Sequence, residues 1–265
     1  MKFVRLNGTT LRYRVSGAAE GPAIVFANSL GTDLTVWDEV VERLPDTYRM
    51  VGFDKRGHGL SAMPEGPVRI EDYATDLVHL ANHLGIKDFI VCGVSVGGLI
   101  AQATATLAPN RVRGIVLSNT GAKIGNDAMW NERIAIAETQ GMEAMADAVM
   151  ERWFPSAFHA SNPELIAGYR AMLTRTPAAG YASTSRAIRD ADFIQSTSQL
   201  TLPTLCIGGE LDGATPTSLV KELAGLIPGA EYHEIPGCGH LPSVQNPEAC
   251  TNAILAFLTK LKTDS

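Results

Sequence analysis

Phe89-Ile-Val-Cys-Gly-Val-Ser-Val-Gly-Gly98 is an apolar run that breaks into Gly-x-Ser-x-Gly, with the small-residue segment Leu99 to Leu107 directly behind it. The β-branched members of the run predict a short buried strand, and the segment that follows predicts a helix. A serine held on so tight a strand-to-helix turn projects its hydroxyl from the sheet edge, which makes Ser95 the candidate nucleophile. Gly93 and Gly97 lack a Cβ, so strand and helix can approach closely around a residue whose own backbone is strained. At roughly 7% usage for each residue type the pattern arises by chance in about a tenth of chains this long, so the neighbouring elements have to decide.

Outward from that turn the chain alternates strand and helix. Ala23 to Ala27 and Arg49 to Phe53 read as buried strands before it, and Val112 to Ser118, Leu202 to Gly208 and Glu231 to Ile235 as strands after it. Between them fall helices over Val36 to Leu44, from a cap at Asp72 to a stop at Gly85, and over Ser218 to Leu226, with a closing helix capped by Asn246-Pro247. Such alternation implies a mostly parallel twisted sheet flanked by helices, an α/β fold. Residues 2–6 and 10–15 alternate around Asn7-Gly8, which predicts an antiparallel hairpin at one sheet edge. From 121 to 190 no strand is expected. Helical segments cover Ala128 to Gln140, Met142 to Phe154, Pro163 to Thr174 and Ala178 to Arg189. The expected organisation is therefore a core of residues 1–120 and 191–265 with a helical cap inserted at 121–190, and a cap above a sheet's carboxyl edge encloses a pocket.

Composition narrows the partners. The 265 residues carry a net charge of −6 and show no cluster of basic residues, which argues against a nucleic-acid footprint and favours a small molecule. No apolar run approaches the ~18 residues of a membrane span, and Met-Lys-Phe-Val-Arg-Leu-Asn-Gly at the start has no apolar core of a leader. Four cysteines without metal spacing or disulfide density suit free thiols in the cytoplasm. His79 and His83, four apart on a helix, lack a third ligand candidate and read as a solvated face, so no metal is expected. Oligomeric state leaves no mark in the sequence.

Three polar residues follow three predicted strands in the order Ser95, Asp212, His240. A serine hydroxyl needs a base within reach, and imidazole titrates near neutrality, which assigns His240 as base. A carboxylate on its other nitrogen fixes the tautomer and stabilises the cation, which assigns Asp212, with Glu210 as the substitute two residues earlier. Asp190 and Asp192 follow a helix instead. This is the chain order of the α/β-hydrolase fold. Its oxyanion would be met by the backbone N–H of Val96 and by a second from the Asn28 to Thr32 loop, expected at Leu30. His58, flanked by glycines in Asp54-Lys-Arg-Gly-His-Gly-Leu-Ser61, reads as part of a loop whose polar side chains brace its backbone.

With these residues assembled, the chain resembles the 3-oxoadipate enol-lactonases, hydrolases of the bacterial β-ketoadipate pathway of aromatic breakdown. The likeness rests on Asn-Ser-Leu-Gly-Thr-Asp at 28–33, Asp-Lys-Arg-Gly-His-Gly-Leu-Ser at 54–61 and Cys-Gly-Val-Ser-Val-Gly-Gly-Leu at 92–99. In the cap it rests on Met-Trp-Asn-Glu-Arg-Ile at 129–134, Arg-Trp-Phe at 152–154 and Gly-Tyr-Ala-Ser-Thr-Ser-Arg-Ala-Ile-Arg-Asp at 180–190. Asn28-Ser29 stands where many hydrolases of this fold carry His-Gly and is ordinary for enol-lactonases. The resemblance implies a cofactor-free opening of an anionic lactone through an acyl-enzyme on Ser95. Its free carboxylate calls for a cation, expected at Arg133 beside Trp130 on one helix face, with Arg152, Arg170, Arg175 and Arg186 as rivals and Ser29 and Trp153 as further pocket residues. A general carboxylesterase or cofactor-free perhydrolase would use the same triad. A slow ligand receptor is the reading from another class, and a haloalkane dehalogenase is excluded because its nucleophile would be an aspartate at position 95.

Overall fold

In the computed structural model, which describes residues 1–263, Asn7 and Gly8 take left-handed backbone at φ 47 and 73. They close the expected hairpin between β1 (Lys2–Leu6) and β2 (Thr9–Gly17). β3 (Ala23–Ala27) is buried at every residue, as a strand covered on both faces should be. A 3-10 turn over Leu34–Trp37 then leads into α1 (Asp38–Arg43), so the helix expected from Val36 is a tighter turn at its first two residues. Asp33 caps that turn, accepting the Thr35 N–H at 2.9 Å.

β4 (Arg49–Phe53) is followed by α2 (Ile70–His83), which buries Ile70, Tyr73, Leu77 and Leu80 on one stripe. Asp72 is not its cap. The helix starts two residues earlier, and the Asp72 carboxylate reaches back to accept the Arg69 N–H at 2.7 Å from inside the first turn. β5 (Phe89–Val94), α3 (Val96–Leu107) and β6 (Val112–Ser118) then form the strand–helix–strand unit read from the sequence. Burial of Leu99 and Ile100 on α3 contributes about 1.5–3 kcal/mol each.

Between β6 and β7 (Thr204–Gly209) no strand occurs among the described residues. The segment holds α4 (Asp127–Gln140), α5 (Glu143–Trp153), α6 (Ser156–Ser161), α7 (Pro163–Arg175), α8 (Ala178–Asp190) and α9 (Ile194–Thr197). α4 packs along α8 and α5 against α7. Met142, Met145, Met150 and Trp153 are buried there, flexible side chains filling an irregular core. α6 and α9 were not expected, since six and four residues are too few to show a helical period. α10 (Thr217–Leu226), β8 (Glu231–Ile235), α11 (Pro242–Gln245) and α12 (Pro247–Thr263) complete the chain.

The eight strands lie in the order β1-β2-β4-β3-β5-β6-β7-β8, parallel from β4 onward and antiparallel at β1, β2 and the β2–β4 pair. No helix among the described residues is long and apolar enough to cross a membrane.

Candidate active site

β3 and β5 are neighbours, with Ala27 opposite Gly93, yet the chain leaves β3 towards β4 on one side and β5 towards β6 on the other. Loops that diverge from adjacent strand ends leave a crevice, and open sheets of this kind place their ligands there. Ser95 stands at its edge with φ 59 and ψ −119, a conformation that costs on the order of 1–3 kcal/mol outside glycine. Its surroundings hold it there. The Ser95 N–H donates to Ser118 O at 2.9 Å, and Thr120 Oγ1 donates to Ser95 O at 2.7 Å. A Cβ on Gly93 would lie 2.0 Å from Gly97 O, and one on Gly97 would lie 2.2 Å from Ala27 O, so both positions require glycine.

The loops after β7 and β8 bring Asp212 and His240 together, 7% and 2% exposed. His240 Nδ1 lies 2.9 Å from Asp212 Oδ2, and since a carboxylate only accepts, that nitrogen carries the proton and leaves Nε2 free as a base. Asp212 also accepts the Ala214 and Thr215 N–H groups at 2.7 and 3.0 Å and Asn119 Nδ2 at 2.8 Å. Thr215 Oγ1, 2.7 Å from Asp212 Oδ2 and 2.8 Å from Asn119 O, bridges the two residues. Burial pushes the Asp212 carboxyl up, but the His240 charge and these hydrogen bonds outweigh it and hold the group below the usual carboxylate range. Glu210 is spent elsewhere, accepting the Gly237 N–H at 2.8 Å on the surface. No hydrogen bond joins Ser95 to His240, although both line one cleft; apo geometry at such sites is often loose.

Leu30 and Val96 follow the ends of β3 and β5. Neither of their N–H groups is taken by an acceptor among the described residues. Two unpaired donors at adjacent strand ends, one of them at the first turn of α3, can stabilise negative charge that develops on a carbonyl oxygen held at Ser95.

A cleft extends from Ser95 and His240 to the helices above. Ser29, Leu30, Trp130, Arg133 and Trp153 all line it. The Arg133 guanidinium sits 4.9 Å from the centroid of the Trp130 ring, so the pair expected to share a helix face does so. Trp130 Nε1 donates to Ile124 O at 2.6 Å, and Trp153 stacks over His240 with centroids 6.4 Å apart. Among the rival arginines, Arg152 alone lines the same cleft. Arg170 is paired with Glu143 and Asp147, Arg186 with Glu138, and Arg175 lies in a separate groove beside Arg12 and Asp33. Neither the Arg133 nor the Arg152 guanidinium has a hydrogen bond or an ion pair among the described residues. Burial, and then the charge of Arg133, pull the Arg152 guanidinium below its usual range.

The end of α5 also ties the helices to the loops that carry His240 and Asp212. Gly213 N–H donates to Arg152 O at 3.3 Å and His240 N–H to Trp153 O at 2.8 Å, so carbonyls orphaned at the helix terminus are satisfied by the two loops. Asn119 and Thr215 escaped the sequence reading. Thr215 lies three residues after Asp212 in an Asp-x-x-Thr turn, and Asn119 directly follows β6, at a strand end where polar residues deserve scrutiny. No group of three or more His, Cys, Asp or Glu residues is placed to hold a metal among the described residues.

Residues 22–247 match the family model described as alpha/beta hydrolase fold. A 3-oxoadipate enol-lactonase of Acinetobacter baylyi is 34% identical over 250 residues, covering 94% of this chain and 93% of that protein. Among solved structures, the enol-lactonase of Burkholderia xenovorans LB400 superposes with a TM-score of 0.94 at 37% identity, covering 97% of this chain and 100% of that one. A malate-bound thermophilic esterase of Thermogutta terrifontis has a TM-score of 0.92 at 28% identity, covering 98% and 99%.

Proposed function

The chain belongs to the α/β-hydrolase family and, within it, to the 3-oxoadipate enol-lactonases, and from that membership we propose that it is a serine hydrolase opening 3-oxoadipate enol-lactone to 3-oxoadipate. The observation that carries the substrate is the pair Arg133 and Arg152, two guanidiniums without a carboxylate in the cleft that holds Ser95 and His240. A pocket for a neutral ester has no need of them, since burying an unpaired charge is unfavourable. A carboxylate bound in two parallel hydrogen bonds satisfies a guanidinium.

The geometry supports the following course for the proposed reaction. Ser95 Oγ attacks the lactone carbonyl while His240 Nε2 takes its proton, and Asp212 stabilises the imidazolium. The oxyanion accepts hydrogen bonds from the Leu30 and Val96 N–H groups. Collapse breaks the ring C–O bond. The departing enol oxygen takes the proton from His240, stays tethered to the acyl chain and ketonises. Water then attacks the Ser95 ester with His240 as base, and the diacid leaves. No cofactor enters these steps. Ser29, Trp130 and Trp153 shape the walls around the ring. The substrate side of the proposal is thus a small anionic lactone, with neither nucleic acid nor membrane involved. Four buried, unpaired cysteines support a cytoplasmic setting.

Purified protein assayed on the enol-lactone, on a neutral lactone of equal size and on p-nitrophenyl acetate tests the reading. A strong preference for the anionic lactone in kcat/KM is expected. Equal or better turnover of the neutral compounds would replace it with a general carboxylesterase.

A further inference from the structure

Lys55 is fully buried, and its ε-amino group meets no carboxylate among the described residues. Its hydrogen bond goes to the backbone carbonyl of Ser29. The neighbouring Asp54 is occupied by the Leu34 and Leu60 N–H groups at 2.8 and 2.9 Å and by Arg12 at 3.1 Å. Burial pulls the Lys55 amine well below its usual range, opposed by the charges of Asp54 and Asp33. An amine donates hydrogen bonds in either protonation state. A lysine so placed is unfavourable for the fold, and its one partner belongs to the loop that lines the cleft.

The Ser29 carbonyl is held unusually firmly. It also accepts Thr32 Oγ1 at 3.0 Å and the Thr32 N–H at 3.3 Å. That last bond spans three residues, and Gly31 stands at φ 75, as the third residue of a type II turn over Ser29 to Thr32 must. The peptide joining Ser29 to Leu30 is trans, so its C=O and N–H point in opposite directions. Fixing the oxygen on Lys55 therefore fixes the direction of the Leu30 N–H on the other side of the peptide, and Leu30 lines the cleft. Donation to the carbonyl also polarises the peptide and makes its N–H a better donor.

We propose that Lys55 is a positioning residue of the oxyanion site, holding the Ser29 carbonyl so that the Leu30 N–H stays aimed at the reacting carbonyl oxygen. The inference rests on the reading of Ser95 as nucleophile with Leu30 and Val96 as donors, and not on the identity of the ester. Lys55 reaches this loop because β4 lies beside β3 and both strands end at the same edge. If the carbonyl were released, the peptide could turn and present an oxygen where a donor is needed.

Lys55→Met keeps an unbranched stem and removes the donor. Kinetics on p-nitrophenyl acetate are compared with the affinity of an aliphatic trifluoromethyl ketone. Ser95 Oγ adds to that ketone while its proton passes to His240, leaving a bound oxyanion. Complete loss of an oxyanion donor lowers kcat on the order of 10²–10³-fold. A misaimed donor should lower it by about 10–100-fold, with the ketone's affinity falling by the same factor and KM changing less than about twofold. Lys55→Gln, which retains an N–H, should recover part of the loss. A folded Lys55→Met protein with wild-type kcat, or one that loses kcat while binding the ketone normally, would overturn the proposal. Should Lys55→Met not fold, Thr32→Val removes the hydroxyl from the same oxygen. A severalfold parallel loss of kcat and ketone affinity supports the proposal, and no change in either overturns it. If wild-type protein ignores the enol-lactone while these results hold, the substrate reading fails and this inference stands. If the ketone does not bind wild-type protein, the nucleophile reading and this inference fall together.

Discussion

The strand ends and the helices above them build one cleft by opposite means. At the strand ends the backbone of Ser95 and the carboxylate of Asp212 are over-determined. Ser95 is locked by Ser118 and Thr120, and Asp212 accepts from Asn119, His240 and two backbone N–H groups. In the helices the Arg133 and Arg152 guanidiniums have no acceptor among the described residues, and Arg133 sits against the Trp130 ring. Groups already satisfied by the protein are pre-organised for a transition state, whereas groups left unpaired are available to a ligand. The difference separates rate from recognition. The two regions meet where Arg152 O and Trp153 O receive the Gly213 and His240 N–H groups.

The largest expected effect lies at the strand ends. Ser95→Ala should fold normally and lower kcat on every ester by about 10⁶-fold, the scale of a lost triad nucleophile. Near-wild-type turnover by the folded variant would break the comparison outright. Asp212→Asn should lower kcat by about 10⁴-fold with little change in KM, because the imidazole loses its tautomer. Glu210→Gln, whose carboxylate faces Gly237, should leave kcat within about twofold. Reversal of those two results would move the acid two residues.

A smaller and selective effect is expected above. Arg133→Met and Arg152→Met should each raise KM for the enol-lactone by about 10–100-fold, the ~1.5–3 kcal/mol of a charged hydrogen bond, while sparing p-nitrophenyl acetate. The backbone carbonyl of Arg152 that receives Gly213 is untouched by the substitution. Equal losses on both substrates would mean that these arginines support the machinery, and the division between rate and recognition would fail.

The same contrast decides what was legible in the sequence. Glycines at 93 and 97 mark a close approach that only glycine permits, and strands such as Ala23–Ala27 show as unbroken apolar runs, so the sheet and its ends could be read locally. Helices such as α4 could be read too, but their partners could not. That Arg170 and Arg186 are consumed by carboxylates while Arg152 is free depends on how α4, α5, α7 and α8 pack, which no local pattern encodes. Asn119 stayed hidden for the same reason, since its partner Asp212 lies 93 residues away. The loop 54–61 was half right. Asp54 and Ser61 brace backbone as expected, Ser61 Oγ donating to Asp54 O at 2.6 Å, but Lys55 acts on another loop and His58 braces nothing.

His58 supplies the smallest effect and the cleanest control, because it looks catalytic in sequence and follows a strand end without reaching the cleft. Its ring is fully buried, and neither nitrogen makes a well-formed hydrogen bond among the described residues, a poorly aligned approach to the Arg56 backbone aside. Burial, then the charge of Lys55, pull its pKa well below the usual imidazole range. In the folded protein His58 therefore stays neutral at a pH where the unfolded chain, with an imidazole near 6.5, takes up a proton. More protons on the unfolded state mean that stability falls as pH drops below about 6.5, and the loss continues until the folded-state pKa is reached. One such group accounts for a slope of about 1.4 kcal/mol per pH unit. Denaturant unfolding of wild-type protein and His58→Leu between pH 8 and 5 reads the difference in slope, in which the other titrating groups largely cancel. The variant should lose less stability on acidification and keep kcat at pH 8 within about twofold. An unchanged slope would mean that His58 already binds its proton in the fold, and a hundredfold loss of kcat would return it to the chemistry and erase the line between satisfied machinery and buried scaffold.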